Sequence, residues 1–426
     1  MSSYTDYKAS QTTWMGEVPS HWTLERAKWS FTLRNERGNS TPVLLAATQK
    51  YGMYPQDMVD GVVKVAEDTD FQQFRTVHNG DFVISLRSFQ GGFERSDYEG
   101  VCSPAYQVFY ANNKWDNNYL KYLFKNELFI DAMNALTVGI REGRNIKYED
   151  FANSILAIPP IVEQKGIAAY LDNRVEHIEV VITEAKASIE EYKAWKASII
   201  YEAVTKGLDP NVEMKDSGVE WIGAIPPHWK RTKLFNCFGV IGSGTTPTSD
   251  DDSYYSGDIN WLQSGDINGS TVSSTKKSIS EEAFSRFSAL KIYSAPFIAV
   301  AMYGASIANT SLVSIDACTN QACCVFSAPT DIAELEYVFY AIQASKNELL
   351  LSARGGTQPN ISQDILKKLI IPIPPKDEQH VIVDYLKSKC GIIETLISDK
   401  ETLISDLEQY KKSLIFEVVT GKRKVV

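Results

Sequence analysis

The stretch Ile158-Pro-Pro-Ile-Val-Glu163-Gln164-Lys-Gly-Ile-Ala-Ala-Tyr170-Leu171 returns at Ile373-Pro-Pro-Lys-Asp-Glu378-Gln379-His-Val-Ile-Val-Asp-Tyr385-Leu386, displaced by 215 positions. The match runs on without a gap to Lys206 and Gly421, with eighteen of forty-nine aligned residues identical. Proline lacks an amide hydrogen and suits the first turn of a helix, and glutamate there meets the positive end of the helix dipole. Both copies are therefore predicted to begin long helices at this point. Beyond it, Leu171, Val175, Ile178, Ile182, Ala185, Ile189, Tyr192, Ile199 and Ala203 recur at steps of four and three. Leu386, Cys390, Ile393, Ile397, Ile404, Leu407, Leu414 and Val418 keep the same register in the second copy. That spacing is the apolar seam of a coiled coil, and Lys196 and Lys411 interrupt it at equivalent positions, as residues that fix pairing register do. Both helices close on Glu202-Ala-Val-Thr and Glu417-Val-Val-Thr with a glycine close behind. A helix over 163–205 would be about 65 Å long, and two such amphipathic helices bury their seams best against each other.

The duplication extends beyond the helices. Trp14-Met-Gly-Glu-Val-Pro-Ser-His-Trp22 recurs as Trp221-Ile-Gly-Ala-Ile-Pro-Pro-His-Trp229, at an offset of 207. Asp116 to Phe124 aligns with Asp331 to Phe339 through Leu120/Leu335, Tyr122/Tyr337 and Phe124/Phe339, and Asn145-Ile146 with Asn360-Ile361, at 215. Strands are predicted at 62–66, 82–86 and 105–110 in the first half, and at 296–301, 311–315 and 322–327 in the second. Helices are predicted at 118–135 and 332–352, each followed by a polar glycine-bearing loop. The fold class is α+β: two similar mixed domains separated by two long helices that form an antiparallel coiled coil, with a pseudo-two-fold internal repeat. The segments are 1–157, 158–207, 208–372 and 373–426, the second and fourth being the spacer helices.

Composition narrows the function. The 426 residues are 44% hydrophobic and 23% charged, as in a globular protein with real cores. No apolar run approaches the roughly 18 residues that span a bilayer, and the N-terminus lacks a signal-peptide profile, so a cytoplasmic location is expected. Six cysteines form no Cys-x-x-Cys pair and read as reduced thiols without a zinc site. The net charge of −10 leaves no basic segment, so contact with DNA requires local basic loops or a partner that offsets repulsion. Catalytic signatures are missing: no Asn/Asp-Pro-Pro-Tyr/Phe methylation motif, no phosphate-cradling Gly-x-x-x-x-Gly-Lys-Ser/Thr, and no dinucleotide-binding turn. Gly242-Ser-Gly244 is too short to count, Glu184-Ala-Lys186 reads as helix surface charge, and 250–252 as a solvated acidic loop.

The framing motifs Trp221-Ile-Gly-x-Ile-Pro-x-His-Trp229, Asn360-Ile-Ser-x-Asp364 before Ile373-Pro-Pro-x-x-Glu-Gln379, and Thr319-Asn-Gln-Ala322 resemble those of the specificity (S) subunit of type I restriction-modification enzymes, over nearly the whole chain. The resemblance implies that each globular part is a target recognition domain reading one half of a bipartite, asymmetric double-stranded DNA site. It implies that the helices set the unread gap and dock two modification subunits, which methylate adenine with S-adenosylmethionine. It also implies that restriction subunits, when present, cleave with ATP and Mg. This chain then holds no cofactor of its own, has no membrane role and is not an enzyme.

Base readout calls for arginine toward guanine and asparagine or glutamine toward adenine, on loops that reach a groove. Those residues in the first half are Arg87 and Gln90 at a strand end, Arg95 just after, and Arg141, Arg144 and Asn145 in a polar loop. In the second half they are Tyr303, Ser306, Asn320, Gln321, Arg354, Gln358 and Asn360. Asn145, Asn360, Asn320 and Gln321 recur as framework, so a purely structural role competes with DNA contact. The His-Trp pairs read as packing where each domain meets the helices. A coiled-coil adaptor that grips protein partners and no nucleic acid is the rival reading, and the acidic charge suits it.

Overall fold

A computed structural model describes residues 3–38, 43–48, 51–59, 71–85, 92–136, 146–248, 252–353 and 359–426. The chain forms two compact units, one of residues 1–186 with 401–426, the other of residues 187–400. The predicted helices are present, Ile161–Lys206 with 46 residues and Lys376–Val419 with 44. Each unit therefore holds a globular part, one half of the first helix and one half of the second. The glycines after them, Gly207 and Gly421, take left-handed φ of 78° and 71°, the conformation that ends a helix cheaply only at glycine.

Within each unit the two helix segments run antiparallel. In the first unit Ile178, Ile182, Leu414 and Val418 share one core; in the second, Ile200, Val204, Leu386, Cys390 and Ile393 do. The interrupting lysines both find cross-helix carboxylates. Lys411 Nζ lies 2.6 Å from Glu179 and Lys196 Nζ 2.6 Å from Glu394, the same pair under the 215-residue offset.

The duplicated motifs close on one another as a clamp. Trp22 Nε1 donates to Glu163 Oε1 at 3.1 Å while His21 lies 2.9 Å from Oε2. Trp229 and His228 treat Glu378 the same way at 3.0 and 2.8 Å. The neighbouring glutamines are fully buried. Gln164 Nε2 donates to the carbonyls of Lys114 and Pro159 at 2.8 Å each, and Asp116 N donates to its Oε1 at 2.8 Å. Gln379 repeats this with Ile332 O, Pro374 O and Glu334 N. Trp22 and Trp229 are also buried, so the His-Trp pairs are indeed the packing joints between domain and helix.

Those bonds correct one alignment. Asp116 corresponds to Glu334, not Asp331, because each donates its amide to the buried glutamine. Tyr119 OH donates to Val419 O at 3.0 Å and Tyr337 OH to Val204 O at 3.1 Å, so Tyr119 pairs with Tyr337 and the offset here is 218. A slip of three residues is nearly one helical turn and keeps apolar residues on the same face, which is why the sequence match was misleading.

In the first unit four antiparallel strands lie in the order Phe31–Leu33, Gln107–Ala111, Phe82–Ile84, Phe93–Arg95. In the second the order is Phe238–Gly242, Cys323–Pro329, Phe297–Ala301, Thr310–Val313, with Thr271–Val272 added parallel at the edge. The predicted strand at 62–66 lies outside the described residues. Each predicted helix is broken in two, at 117–123 and 127–135 and at 335–344 and 346–351. Asn126 causes the first break, since its side chain accepts the amide of Phe129 and caps a new helix. The cores differ in substance. Phe31, Phe82, Phe93, Phe109, Phe124, Phe129 and Phe151 fill the first, whereas Ile298, Val300, Cys324, Phe326, Val338 and Ile342 carry much of the second. All six cysteines are buried and free, and burial pushes the thiols of Cys102, Cys237, Cys318 and Cys324 up to about 12.

A charged cluster sits beside the strand Arg75–Val77. His78 Nδ1 lies 2.8 Å from Glu99 and Nε2 2.9 Å from Glu36, while Arg34 binds Asp81 at 2.7 Å and Glu36 at 2.7 Å. The Glu36 hydrogen bond, with help from Glu99, raises the imidazole above its ordinary value. This contribution to stability is complete below the ordinary histidine value of about 6.5 and fades as pH rises through the raised one. An NMR titration of His78 should give a pKa above that of a free histidine, and Glu36→Gln should lower it. For the clamp, Gln379→Ala strands two carbonyls and an amide in a dry site. It should cost the second unit about 2–4 kcal/mol, read as a lowered thermal transition.

Candidate nucleic-acid interface

The second unit gathers its polar loops at one face, and the way they are held starts with buried groups. Leu262 pairs in parallel with Thr319, and Asn320 N then donates to Leu262 O at 3.0 Å. Asn320 is nearly buried and accepts the amide of Ala322 at 3.0 Å with its own side chain. Gln321, caught between them, is forced outward. Its Oε1 accepts the Thr246 hydroxyl at 2.6 Å. Thr246 sits in a pinned loop: Tyr293 OH donates to Ser243 O at 3.2 Å, Trp261 Nε1 to Thr245 O at 3.3 Å and Tyr255 OH to Pro247 O at 2.7 Å.

Tyr303 and Asn360 pair their backbones in a single antiparallel bridge, and Ile361 N donates to Met302 O at 2.7 Å. Between these loops lies a cavity of about 810 Å³, lined by Ser243, Tyr303, Gly304, Asn360 and Gln363 among others. Two predicted residues, Tyr303 and Asn360, thus meet at one rim, while Gln321 is tied to Thr246. Two others serve the fold: Asn320 as above, and Ser306, whose Oγ donates to Ser264 O at 2.7 Å. Arg354 and Gln358 lie outside the described residues. Thr246 was missed, because the run from Gly242 was weighed only as a phosphate loop; the proline after Thr246 was the available hint of a rigid turn.

In the first unit Arg87, Gln90, Arg141, Arg144 and Asn145 lie outside the described residues. Arg95 is described, and its guanidinium is engaged within the protein, 2.7 Å from Asn118 Oδ1 and 2.9 Å from Asp97. It lines a cleft of about 610 Å³ between the domain and the helix segments, with Lys121, Lys125, Glu179 and Lys411. At the base of that cleft Glu94 is buried; desolvation pushes its carboxyl up while Lys125, 2.6 Å away, opposes the shift. Arg95 therefore ties the end of its strand to the helix 117–123 within the domain. Glu184 and Lys186 are exposed helix positions flanking the buried Ala185, as a solvated face requires. Among the described residues no cluster could hold a metal ion, and no helix is long and apolar enough to cross a membrane.

Comparison with known proteins gives the same picture twice over. The family model described as "Type I restriction modification DNA specificity domain" matches residues 24–191 and again 226–401. The type I restriction enzyme MjaVIII specificity subunit of Methanocaldococcus jannaschii is 25% identical over 402 residues, 90% of this chain and 89% of that protein. The EcoBI specificity subunit of Escherichia coli is 22% identical over 393 residues, 87% and 74% of the two chains. Among solved structures, a chain from "Structural basis underlying complex assembly and conformational transition of the type I R-M system" superposes with a TM-score of 0.71 at 17% identity. It covers 94% of this chain and 98% of its own. The HsdS subunit from Thermoanaerobacter tengcongensis gives 0.50 at 16% identity, over 95% and 98%. At such identities the structural likeness is one of fold.

Proposed function

Because this chain belongs to the family of type I restriction modification DNA specificity domains, we propose that it reads a bipartite, asymmetric DNA site, one half with each globular part, and carries no catalysis itself. The observation that carries this reading is the duplication: one clamp, glutamate for glutamate and glutamine for glutamine, supports two interiors that differ and loops that differ in sequence. A frame repeated with different readers is what a split, asymmetric target demands.

S-adenosylmethionine, ATP and Mg belong in this reading to modification and restriction subunits. Docking has a local basis in two exposed aromatics. Trp195 and Tyr410 occupy the same position on the two helices, and each is about half exposed, at 51% and 48%. The same groove-flanking position one heptad earlier holds Ser188 and Leu403. A side chain of that size left in water twice, at equivalent places, suits a partner that binds in two copies. The partners also answer the charge problem, since a chain of net charge −10 needs cations from elsewhere to hold a duplex.

The test is a methylation map: the chain is expressed with its modification subunit and host DNA is sequenced for N6-methyladenine. A split motif that appears only with this chain supports the reading; co-purification without a motif favours the adaptor. Removing one heptad from each long helix should shorten the gap and leave both half-sites unchanged. Trp195→Ala with Tyr410→Ala should weaken co-purification of the modification subunit at least tenfold without lowering the thermal transition.

A further inference from the structure

In the first unit two arginines stand side by side on neighbouring segments. Arg37 and Arg75 form a single antiparallel bridge, bracketed by Gly38 N donating to Phe74 O at 3.1 Å and Thr76 N donating to Glu36 O at 3.2 Å. Those two bonds make Arg37 and Arg75 a non-hydrogen-bonded cross-strand pair, the kind whose side chains stand closest together on one face. Like charges in that position repel.

The ordinary remedy, a carboxylate, is spent elsewhere. Glu36 and Asp81 hold Arg34, while Glu36 and Glu99 hold His78. The residue opposite Arg75 on its other side is Cys102, whose thiol burial keeps neutral. Arg37 donates to Gln73 Oε1 at 2.9 Å, an acceptor without charge. Among the described residues neither arginine meets a carboxylate, and Arg75 makes no side-chain hydrogen bond. Arg75 is nevertheless half-buried, and its Nε is withdrawn from water without a partner. A cation so placed is costly until an anion joins it.

Resting on the DNA reading above, we propose that Arg37 and Arg75 together grip one phosphate of the duplex backbone in the half-site read by the first unit. The pair lacks a full negative charge, and that requirement separates phosphate from base. The guanine edge that arginine reads offers two neutral acceptors, which do not offset two cations. A phosphate carries the charge and accepts from planar guanidiniums in a fork. Such a contact fixes register on the duplex and carries no sequence. It also supplies a local pair of cations in a chain whose net charge is −10.

Arg37→Gln and Arg75→Gln, singly and together, are compared with the unaltered chain in the assembled complex with the modification subunit. The readouts are the methylated motif and duplex binding at several salt concentrations, including duplexes in which one phosphate at a time is replaced by a neutral methylphosphonate. The double variant should bind every duplex more weakly by the same factor, roughly tenfold, with the motif intact. Its slope of log affinity against log salt should flatten by about 0.9, the signature of one lost phosphate contact. One methylphosphonate position, in one half-site, should weaken the unaltered chain and cost the double variant nothing further. The thermal transition should hold or rise, because a repulsion is removed; a fall shows the pair already neutralised and overturns the proposal. A motif broadened at a G·C position overturns it in favour of a base contact. Weaker co-purification of the modification subunit with an unchanged salt slope overturns it in favour of a partner carboxylate, and unchanged affinity and slope overturn it outright. An unaltered chain that directs no methylation fails the DNA reading itself.

Discussion

Everything in this protein hangs on two glutamines that never see water. Gln164 and Gln379 sit in the first turn of each long helix, where backbone amides lack helical partners, and each spends its side chain on the globular part instead. One side chain receives an amide and donates to two carbonyls, so the loop before a domain helix, the strand that leads into the long helix and that helix itself are joined at one point. The adjacent glutamate adds the tryptophan and histidine of the framing motif. A buried amide with all its partners specifies one arrangement far more sharply than apolar contact can.

With the joint fixed, each interior was free to diverge. A cluster of phenylalanines fills one domain and aliphatic residues with a cysteine fill much of the other, at the same strand order. The loop sequences diverged as well. That freedom is why a single frame can hold two readers, and why the readers bear so little resemblance to each other.

Much of the architecture was legible in the sequence. The helix limits, the seam and the role of the lysines follow from period, proline and glycine, signals that act locally. The bond from tryptophan to the clamp glutamate was partly visible, since the His-Trp pairs were read as packing. Three things were not. The register of Asp116 against Glu334 escaped because a shift of one helical turn preserves polarity, and only long-range hydrogen bonds distinguish the two alignments. Arg95 looked like a reader because arginine near glycine often is; its partners Asp97 and Asn118 are supplied by the fold, which periodicity does not reveal. Thr246 escaped for the same reason, as its meaning depends on Gln321, distant in sequence and adjacent in space.

The division of each long helix between the units bears on how the chain is made. Residues 187–400 are contiguous, whereas the other unit needs both the first 186 residues and the last 26. On a ribosome the inner unit can be complete while the outer one, though begun first, still lacks the segment that carries Leu414, Val418 and the Val419 carbonyl that Tyr119 holds. The earlier-synthesised unit thus waits with an apolar helix face uncovered until residues 401–426 emerge, and an exposed face of that kind favours misassembly.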